Sequence, residues 1–378
     1  MKIGIDYRSA LTSWAGIGRY TRGLVEGFKH LAEDGQIDAR LRLYACHIRR
    51  FGGSARLPRS AALEVCRAPV PARLVQALGR LGYGAEWHFG RVDLFHFTDF
   101  TYLPLRDTPH VFTLHDLSFA VDPSWHEARA VAALRGVTER LAPAARLVLV
   151  HSGHTAAEAV RVLSLDARRL RVVPPGVDRA FFGGASGDDV AALRRRLALP
   201  ASYVLHVGTL EPRKNLPRLV AAFERVARSR AGLGLVLAGR RGWLEAPVLA
   251  AIAASPLRER ICVLGAVADP DLPALYRGAA AFAYVSLYEG FGLPVLEALA
   301  CGVPAVVADA TALPEAAGSA ALRVDPRDVA AIAEALECLL DDAALRARLS
   351  REGPARAAAF TWERAARSTL AAYREALS

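Results

Sequence analysis

The sequence predicts an α/β protein with two doubly wound domains, each built on a parallel sheet. Short apolar runs alternate with longer helical patterns through nearly all of its 378 residues, as in parallel sheets covered by helices. A chain of this length also exceeds one ordinary core, because domains usually contain about 100–200 residues. The clearest linker signal lies at 174–187, where PPGVD and GGASG interrupt the alternation. We therefore expect domains at 1–179 and 180–355, followed by a helical segment at 356–378.

The individual elements follow from the spacing of the apolar residues. In the first half we expect strands near 2–5, 41–45, 94–96, 111–114 and 147–150, and helices near 20–32, 128–141 and 155–163. In the second half we expect strands near 203–207, 234–238, 261–264, 281–284 and 305–307, alternating with helices. The segment 49–91 has no strong period, so we expect an insertion that carries one helix around 72–81. Ligands of such sheets bind at the carboxyl ends of the strands.

Composition narrows the class of protein. The five cysteines are scattered, odd in number and form no C-x-x-C pair, so neither a disulfide framework nor a zinc site is indicated. A strand begins directly after Met1, which leaves no room for a signal peptide. No apolar run reaches the ~18 residues expected of a membrane span. These features predict a cytoplasmic protein.

The charge is concentrated in the first half of the chain. Residues 1–179 contain 25 Lys/Arg and 17 Asp/Glu, and eight arginines lie between Arg49 and Arg91. This surface either binds an anionic partner, such as membrane lipid or a phosphate-bearing acceptor, or is simply solvated. Nucleic acid is disfavoured, because the arginines are not interleaved with stacking aromatic residues.

The most informative motif is EGFGLPVLE at 289–297, which follows a predicted strand and leads into a predicted helix. Gly290 and Gly292 allow a ligand to approach the backbone, and the helix N-terminus favours an anion such as a diphosphate. Glu289 lies before the glycines, and we expect Glu297 in the first turn of the helix. Each carboxylate can accept hydrogen bonds from paired sugar hydroxyls. The motif therefore predicts a nucleotide-sugar site.

A second candidate motif follows the predicted strand 203–207. Gly208 permits a tight exit from the sheet, and Arg213 and Lys214 then lie at the carboxyl edge of that strand. A guanidinium and an ammonium at this edge can hold a diphosphate between them. Their position after a sheet strand, together with the Glu289 loop, favours this interpretation over two solvated basic residues.

Two further candidates lie in the first half. Gly16 and Gly18 follow the first strand and open a helix, where glycines can admit a phosphate or an acceptor, although a single GxG is often only a loop. His115 ends the predicted strand 111–114, so it is either a structural residue or one that donates to a sugar hydroxyl. Its backbone carbonyl could also stabilise positive charge at a reacting carbon. We expect His151 and His154 to be structural.

Two kinds of site are not indicated. The chain has no Asp-x-Asp at a predicted strand end and no His/Asp cluster with metal spacing, so the sequence does not require a metal ion. It also lacks the Walker A pattern, which argues against a phosphoryl-transferring NTPase.

The motifs together resemble those of the retaining, metal-independent glycosyltransferases of family GT4. The similar segments are GIGRY at 16–20, HDLSF at 115–119, HSGHTAAE at 151–158, PPGVD at 174–178, VGTLEPRKNL at 207–216 and EGFGLPVLEALACGVP at 289–304. The last two are specific, and the resemblance covers nearly the full length. It implies the GT-B fold, in which two Rossmann-like domains face each other across a cleft and the closing helix returns to the first domain.

The resemblance also implies roles for individual residues. Arg213 and Lys214 would bind the donor diphosphate, and Glu289 would hold hydroxyls of the transferred sugar beside the backbone of Gly290, Phe291, Gly292 and Leu293. Glu297 would accept from the ribose, Gly16 and Gly18 would approach the phosphate, and His115 would lie by the donor sugar. The base would lie near Arg241 and residues 263–267. The catalytic set would be His115, Arg213, Lys214 and Glu289, with no cofactor and no metal.

Within this family, HDLSF together with GRRGWL at 239–244 looks most like bacterial mannosyl- and rhamnosyltransferases of O-antigen, lipopolysaccharide or exopolysaccharide assembly. This resemblance favours GDP-mannose or a related GDP-sugar, with UDP- and dTDP-sugars left open. It favours a lipid-linked glycan acceptor at the inner face of the cytoplasmic membrane. The alternatives are transfer to a soluble acceptor and a catalytically silent protein that binds glycan or nucleotide.

Overall fold

The computed structural model describes residues 1–13, 16–37, 39–46, 58, 60, 62–68, 72–79, 81–183 and 185–378. Within them the chain divides into two units. The first unit contains residues 1–121, 128–176 and 361–378, and the second contains residues 122–127 and 177–360. The chain therefore enters each unit more than once.

The first unit is built on a parallel sheet of seven described strands in the order β3-β2-β1-β4-β5-β6-β7. The strands are β1 (Lys2–Asp6), β2 (Arg40–Cys46), β3 (Leu63–Ala68), β4 (Leu94–Phe97), β5 (His110–Leu114), β6 (Leu147–Val150) and β7 (Leu170–Val172). The helices are α1 (Arg8–Thr12), α2 (Gly16–Glu33), α3 (Ala72–Gly79), α4 (Glu86–Phe89), α5 (Ser118–Val121), α6 (Ala128–Ala144), α7 (Gly153–Leu163) and α17 (Trp362–Leu377).

The second unit contains a parallel sheet of six strands in the order β10-β9-β8-β11-β12-β13. The strands are β8 (Ser202–Val207), β9 (Leu233–Ala238), β10 (Ile261–Gly265), β11 (Ala281–Tyr284), β12 (Ala305–Ala308) and β13 (Leu322–Val324). The helices are α8 (Ala180–Gly183), α9 (Gly187–Arg196), α10 (Leu216–Ala227), α11 (Ala246–Ala254), α12 (Leu272–Arg277), α13 (Leu293–Ala300), α14 (Leu313–Ala317), α15 (Val329–Asp341) and α16 (Ala343–Ala357).

The predicted α/β class with two parallel sheets is confirmed, and all ten predicted strands are present. Central strands such as β9 and β11 are buried along their whole length, which explains their continuous apolar sequence. Three strands were not predicted: β3, β7 and β13, which form sheet edges. The segment 49–91 is therefore more than an insertion with one helix, because it supplies β3 beside β2. Much of its arginine cluster lies outside the described residues.

No helix in the described part of the chain is long and apolar enough to cross a membrane.

The last helix, α17, packs against α2 within the first unit. The approach is close: a Cβ atom on Gly23 would lie 2.1 Å from Cε2 of Trp362, and one on Gly27 would lie 2.3 Å from the Trp362 carbonyl oxygen. The Tyr373 hydroxyl of α17 is 2.6 Å from Nδ1 of the buried His96 in β4. Glycine in α2 is therefore required by packing, although it lowers intrinsic helix propensity.

We predict that Gly27→Ala destabilises the protein by about 1–3 kcal/mol, because the added methyl group overlaps the Trp362 backbone. Gly136→Ala is the matched control. Gly136 lies in α6 with nothing within 4 Å of an added Cβ, so the same change should stabilise the helix by about 0.5–1 kcal/mol. Urea unfolding of both variants measures the difference. Equal, favourable effects of the two substitutions would contradict the packing argument.

Candidate functional site

The candidate site of the second unit lies where the order of its strands reverses. From β8 the chain proceeds to β9 on one side, and from β11 it proceeds to β12 on the other. Because β8 and β11 are parallel neighbours, the loops that follow them leave the same edge of the sheet in opposite directions. This reversal brings the Arg213-Lys214 turn to the loop that carries Glu289.

Four charged side chains meet at this edge. Nζ of Lys214 donates to Oε1 of Glu289 at 2.5 Å, and Nη1 of Arg213 donates to Oε2 of the same carboxylate at 2.9 Å. Nε of Arg213 also lies 2.8 Å from Oε1 of Glu211, and Lys214 lies 3.9 Å from that oxygen. The cluster is buried, since Lys214 is 5% exposed and Glu289 is 6% exposed. The structure thus brings together three of the four predicted catalytic residues.

The electrostatics keep the Glu289 carboxylate ionised at neutral pH. Burial alone would raise the pKa of Glu289, but the adjacent Arg213 and Lys214 charges reverse that effect and hold its pKa at about 2. Burial, followed by the nearby Glu289 carboxylate, raises the pKa of Tyr284 well above its ordinary value. The Tyr284 hydroxyl therefore stays protonated, and it accepts from Nζ of Lys214 at 2.8 Å.

The turn that presents the two cations is fixed by the residue after them. Asn215 has φ of 60°, and its side-chain amide donates to the carbonyls of Val285 at 2.9 Å and Pro326 at 2.6 Å. The backbone N–H of Leu287 donates to the Arg213 carbonyl at 2.8 Å. Asn215 occupies the N-cap position of α10, but its side chain makes no cap hydrogen bond and instead joins two loops.

The glycine-rich loop ends in α13, which begins at Leu293. Gly292 has φ of 110°, a conformation that favours glycine. The Phe291 side chain lies in the core, 5.5 Å from the ring of Phe360, so only the Phe291 backbone is placed to face a ligand.

Glu297 lies elsewhere in α13 than the sequence suggested. We expected it in the first turn, but it is the fifth residue of the helix and therefore lies in the second turn. It is 1% exposed, and Oε2 accepts from the Tyr276 hydroxyl at 2.8 Å. Tyr276 thus orients the carboxylate.

The two glycines predicted in the first unit lie at the start of α2 and differ from each other. A Cβ on Gly18 would lie 2.0 Å from the Ser13 carbonyl oxygen, so a close approach to the preceding loop is enough to require glycine there. No atom of the described residues lies within 4 Å of a Cβ on Gly16. Packing among the described residues therefore does not explain a glycine at position 16.

His115 follows β5, and both of its ring nitrogens have partners. Nε2 lies 2.8 Å from the Thr98 carbonyl oxygen, and Nδ1 lies 2.9 Å from Nε2 of His151, whose Nδ1 lies 3.1 Å from the Val173 carbonyl. Burial lowers the pKa of both imidazoles, that of His151 to about 3. In this conformation His115 has no ring nitrogen to offer a sugar hydroxyl. The role compatible with these contacts is that of its backbone carbonyl.

Several neighbours of the site were not predicted. Tyr284 and Glu211 contact Lys214, and the Thr311 hydroxyl accepts from the Glu289 N–H at 3.1 Å. Tyr284 could have been found, because it is the last residue of a predicted strand that leads to Glu289.

Asp116, which follows His115, accepts from the N–H and the hydroxyl of Ser118, so it caps the turn after β5.

The region expected to hold the base is open. The Arg241 guanidinium is 66% exposed and pairs with Glu245, and Val263 in β10 is 41% exposed.

A metal site is a separate question. In the part of the chain that the structure describes, no group of three or more His, Cys, Asp or Glu side chains is arranged to hold a metal ion.

We predict that Glu289→Gln destabilises the protein by about 3 kcal/mol at neutral pH, because it removes the shared partner of two buried cations. The folded-state pKa of about 2 lies below the ordinary value of 4.5, so wild-type Glu289 contributes stability above pH 4.5 and loses it as the pH falls toward 2. The wild-type advantage should shrink by roughly half near about pH 3.

Urea unfolding across this pH range tests the Glu289 prediction. The control is Glu259→Gln, since the Glu259 side chain is 87% exposed and its loss should have little effect at any pH. A Glu289→Gln penalty that does not change between neutral and acid pH would contradict the assigned ionisation.

Comparison with known proteins identifies the family of the chain. The family model "Glycosyltransferase Family 4" matches residues 16–181, and "Glycosyl transferases group 1" matches residues 192–356. The chain is 35% identical over 283 residues to O-antigen chain mannosyltransferase B of Escherichia coli, covering 74% of each chain. It is also 35% identical over 291 residues to D-inositol 3-phosphate glycosyltransferase of Salinispora tropica, covering 73% of this chain and 60% of that protein.

Solved structures agree on the fold. HepE of Anabaena, in complex with UDP and glucose, has a TM-score of 0.74 at 19% identity and covers 99% of this chain and 100% of its own. Sucrose-phosphate synthase of Thermosynechococcus elongatus has a TM-score of 0.76 at 22% identity, with coverage of 99% and 98%. The chain therefore belongs to glycosyltransferase family 4 and is a glycosyltransferase with two Rossmann-like domains of the GT-B fold.

Proposed function

We propose that the protein is a retaining, metal-independent transferase that moves mannose, or a related hexose, from a GDP-sugar to a lipid-linked glycan in surface-polysaccharide synthesis. We place this reaction at the inner face of the cytoplasmic membrane. The observation that carries the proposal is the buried cluster of Arg213, Lys214 and Glu289 at the point of strand reversal. The sugar and the pathway are supported by the similarity to the E. coli O-antigen mannosyltransferase.

The cluster fits a sugar diphosphate because it offers both kinds of partner. Arg213 and Lys214 supply fixed positive charge for the diphosphate, and the ionised Glu289 supplies acceptors for sugar hydroxyls. Glu297, which accepts a hydrogen bond from the Tyr276 hydroxyl, would also accept from the ribose. The backbone of residues 290–293 and, in the first unit, Gly16 and Gly18 would contact the phosphate and sugar.

In the proposed reaction the bond between the sugar C1 and the diphosphate oxygen breaks, and its electron pair goes to the diphosphate. The acceptor hydroxyl attacks C1 from the same face and gives its proton to the departing phosphate oxygen, which preserves the anomeric configuration. Arg213 and Lys214 stabilise the charge that accumulates on the diphosphate, so a metal ion is not needed for this step. The His115 carbonyl would stabilise the positive charge at C1.

A second candidate is transfer to a small soluble acceptor that carries a phosphate. It is favoured by the similarity to D-inositol 3-phosphate glycosyltransferase over 291 residues. Co-sedimentation with vesicles that contain anionic lipid separates the two proposals, together with transfer assays on a lipid-linked oligosaccharide and on inositol phosphate. Transfer only to the soluble acceptor, without vesicle binding, would favour the second candidate.

We predict that GDP raises the melting temperature more than UDP or dTDP does, because a ligand that binds the folded state stabilises it. Sugar transfer from GDP-mannose should continue in EDTA and should give the α-linked product, as NMR of the product can establish. A larger rise in melting temperature with UDP than with GDP would indicate a UDP-sugar as the donor. A β-linked product or complete inhibition by EDTA would overturn the mechanism.

We predict that Lys214→Met lowers kcat by about 10²-fold or more, since it removes one of the groups that stabilise the leaving diphosphate. Arg258→Ala is the control, because the Arg258 side chain is 66% exposed and paired only with its neighbour Glu259. Thermal unfolding of each variant separates lost catalysis from lost folding. A folded Lys214→Met variant with near-normal kcat would show that the electrostatic role is wrong.

A further inference from the structure

His206 is a buried titratable residue beneath the candidate site that the proposed reaction does not use. It lies in β8, is 0% exposed and stacks on the ring of Tyr284 with a centroid distance of 5.3 Å and an interplanar angle of 12°. Nδ1 lies 3.1 Å from the Ala283 carbonyl oxygen, which can only accept, so Nδ1 carries a proton. The other nitrogen, Nε2, has no hydrogen-bond partner among the described residues.

The orphaned Nε2 atom borders the space beside Gly208. A Cβ atom on Gly208 would lie 3.1 Å from this nitrogen and 3.6 Å from Cε of Lys214. Because residue 208 is glycine, no side chain fills that space, and the residue is partly exposed. A ligand atom that rests on Gly208 would therefore meet His206 on one side and the stem of Lys214 on the other.

The surroundings of His206 determine the protonation state of its imidazole when no ligand is bound. Burial, and then the Lys214 charge, lowers its pKa to about 4, whereas the Ala283 carbonyl and the Glu289 carboxylate act in the opposite direction. Tyr284, stacked on the ring, stays protonated because its pKa is raised. His206 is therefore neutral at pH 7, and an anion placed over Gly208 would favour its protonated form.

We infer that His206 takes up a proton from solvent when a nucleotide sugar binds and then donates from Nε2 to an oxygen of the diphosphate. This inference rests on the proposed function, since it needs the donor diphosphate beside Gly208 and Lys214. Nδ1 keeps its proton on the Ala283 carbonyl throughout. His206 would thus add a third positive group that exists only in the complex.

Calorimetric titration of GDP-mannose in two buffers with different ionisation enthalpies, at the same pH, tests the inference. A sugar diphosphate is a suitable probe because it has no phosphate group that titrates near neutral pH. The wild-type protein should take up protons when GDP-mannose binds. As the pH rises from about 4 to the pKa of His206 in the complex, its affinity for GDP-mannose should fall by up to about tenfold per pH unit. His206→Gln should abolish the uptake and this pH dependence.

His206→Phe is a second variant that keeps the stacking on Tyr284 but removes both nitrogens. It should weaken binding by about tenfold or more, because a charged donor to the diphosphate is lost. If either variant is unfolded, the ¹⁵N shifts of the His206 ring in wild type, with and without GDP-mannose, give the same answer. Nε2 must become protonated when the ligand is added.

These outcomes distinguish a failure of the proposed function from a failure of the role inferred for His206. If no sugar nucleotide binds, the proposed function fails. If a sugar nucleotide binds without proton uptake, or with an uptake that His206→Gln leaves unchanged, the role of His206 is wrong and the donor site stands.

Discussion

The mutual neutralisation of four clustered charges, three of them buried, is the constraint on which the candidate site depends. Arg213, Lys214, Glu211 and Glu289 lie at a sheet edge with little access to water, where no one of these charges would be tolerated alone. Each side chain therefore requires the others. Because the cations and Glu289 come from loops after different strands, the cluster also fixes those loops to each other. The Asn215 amide adds a second connection, to the carbonyls of Val285 and Pro326.

The two cations of this cluster are already paired before a donor binds, and this pairing affects their role in the proposed reaction. In the free protein Arg213 and Lys214 already have a carboxylate partner, which offsets part of their attraction for a bound donor diphosphate. The departing diphosphate gains negative charge as its bond to the sugar breaks, and the same two cations then interact with it more strongly. Such a difference between the bound donor and the transition state is what accelerates a reaction.

Much of the architecture could be predicted from sequence, because buried parallel strands are continuous apolar runs whose ends are easily read. β11 was predicted with its observed bounds, and the proximity of Arg213-Lys214 to Glu289 followed from the rule that ligands bind at strand ends. The edge strands β7 and β13 were missed because they are only three residues long and partly exposed. Such strands are defined by their neighbour in the sheet rather than by their own pattern.

Individual side-chain states could not be predicted. The partners of His115 are 17 and 36 residues away along the chain, so its sequence context does not reveal that both ring nitrogens are occupied. Glu297 was placed in the first turn because the sequence does not show that α13 has already begun at Leu293. Motif glycines are equally ambiguous, since Gly18 is explained by its distance from the Ser13 carbonyl. These contacts depend on tertiary geometry.

The position of α17 in the first unit has a consequence for biosynthesis. During translation residues 1–176 leave the ribosome before residues 177–360 do, but α17 covers α2 only after residues 361–378 have followed. Until then the face of α2 around Gly23 and Gly27 lacks the aromatic side chain that occupies it in the native state. The first unit therefore cannot complete its packing until the second unit has been synthesised, and the face of α2 that packs on α17 stays uncovered until then.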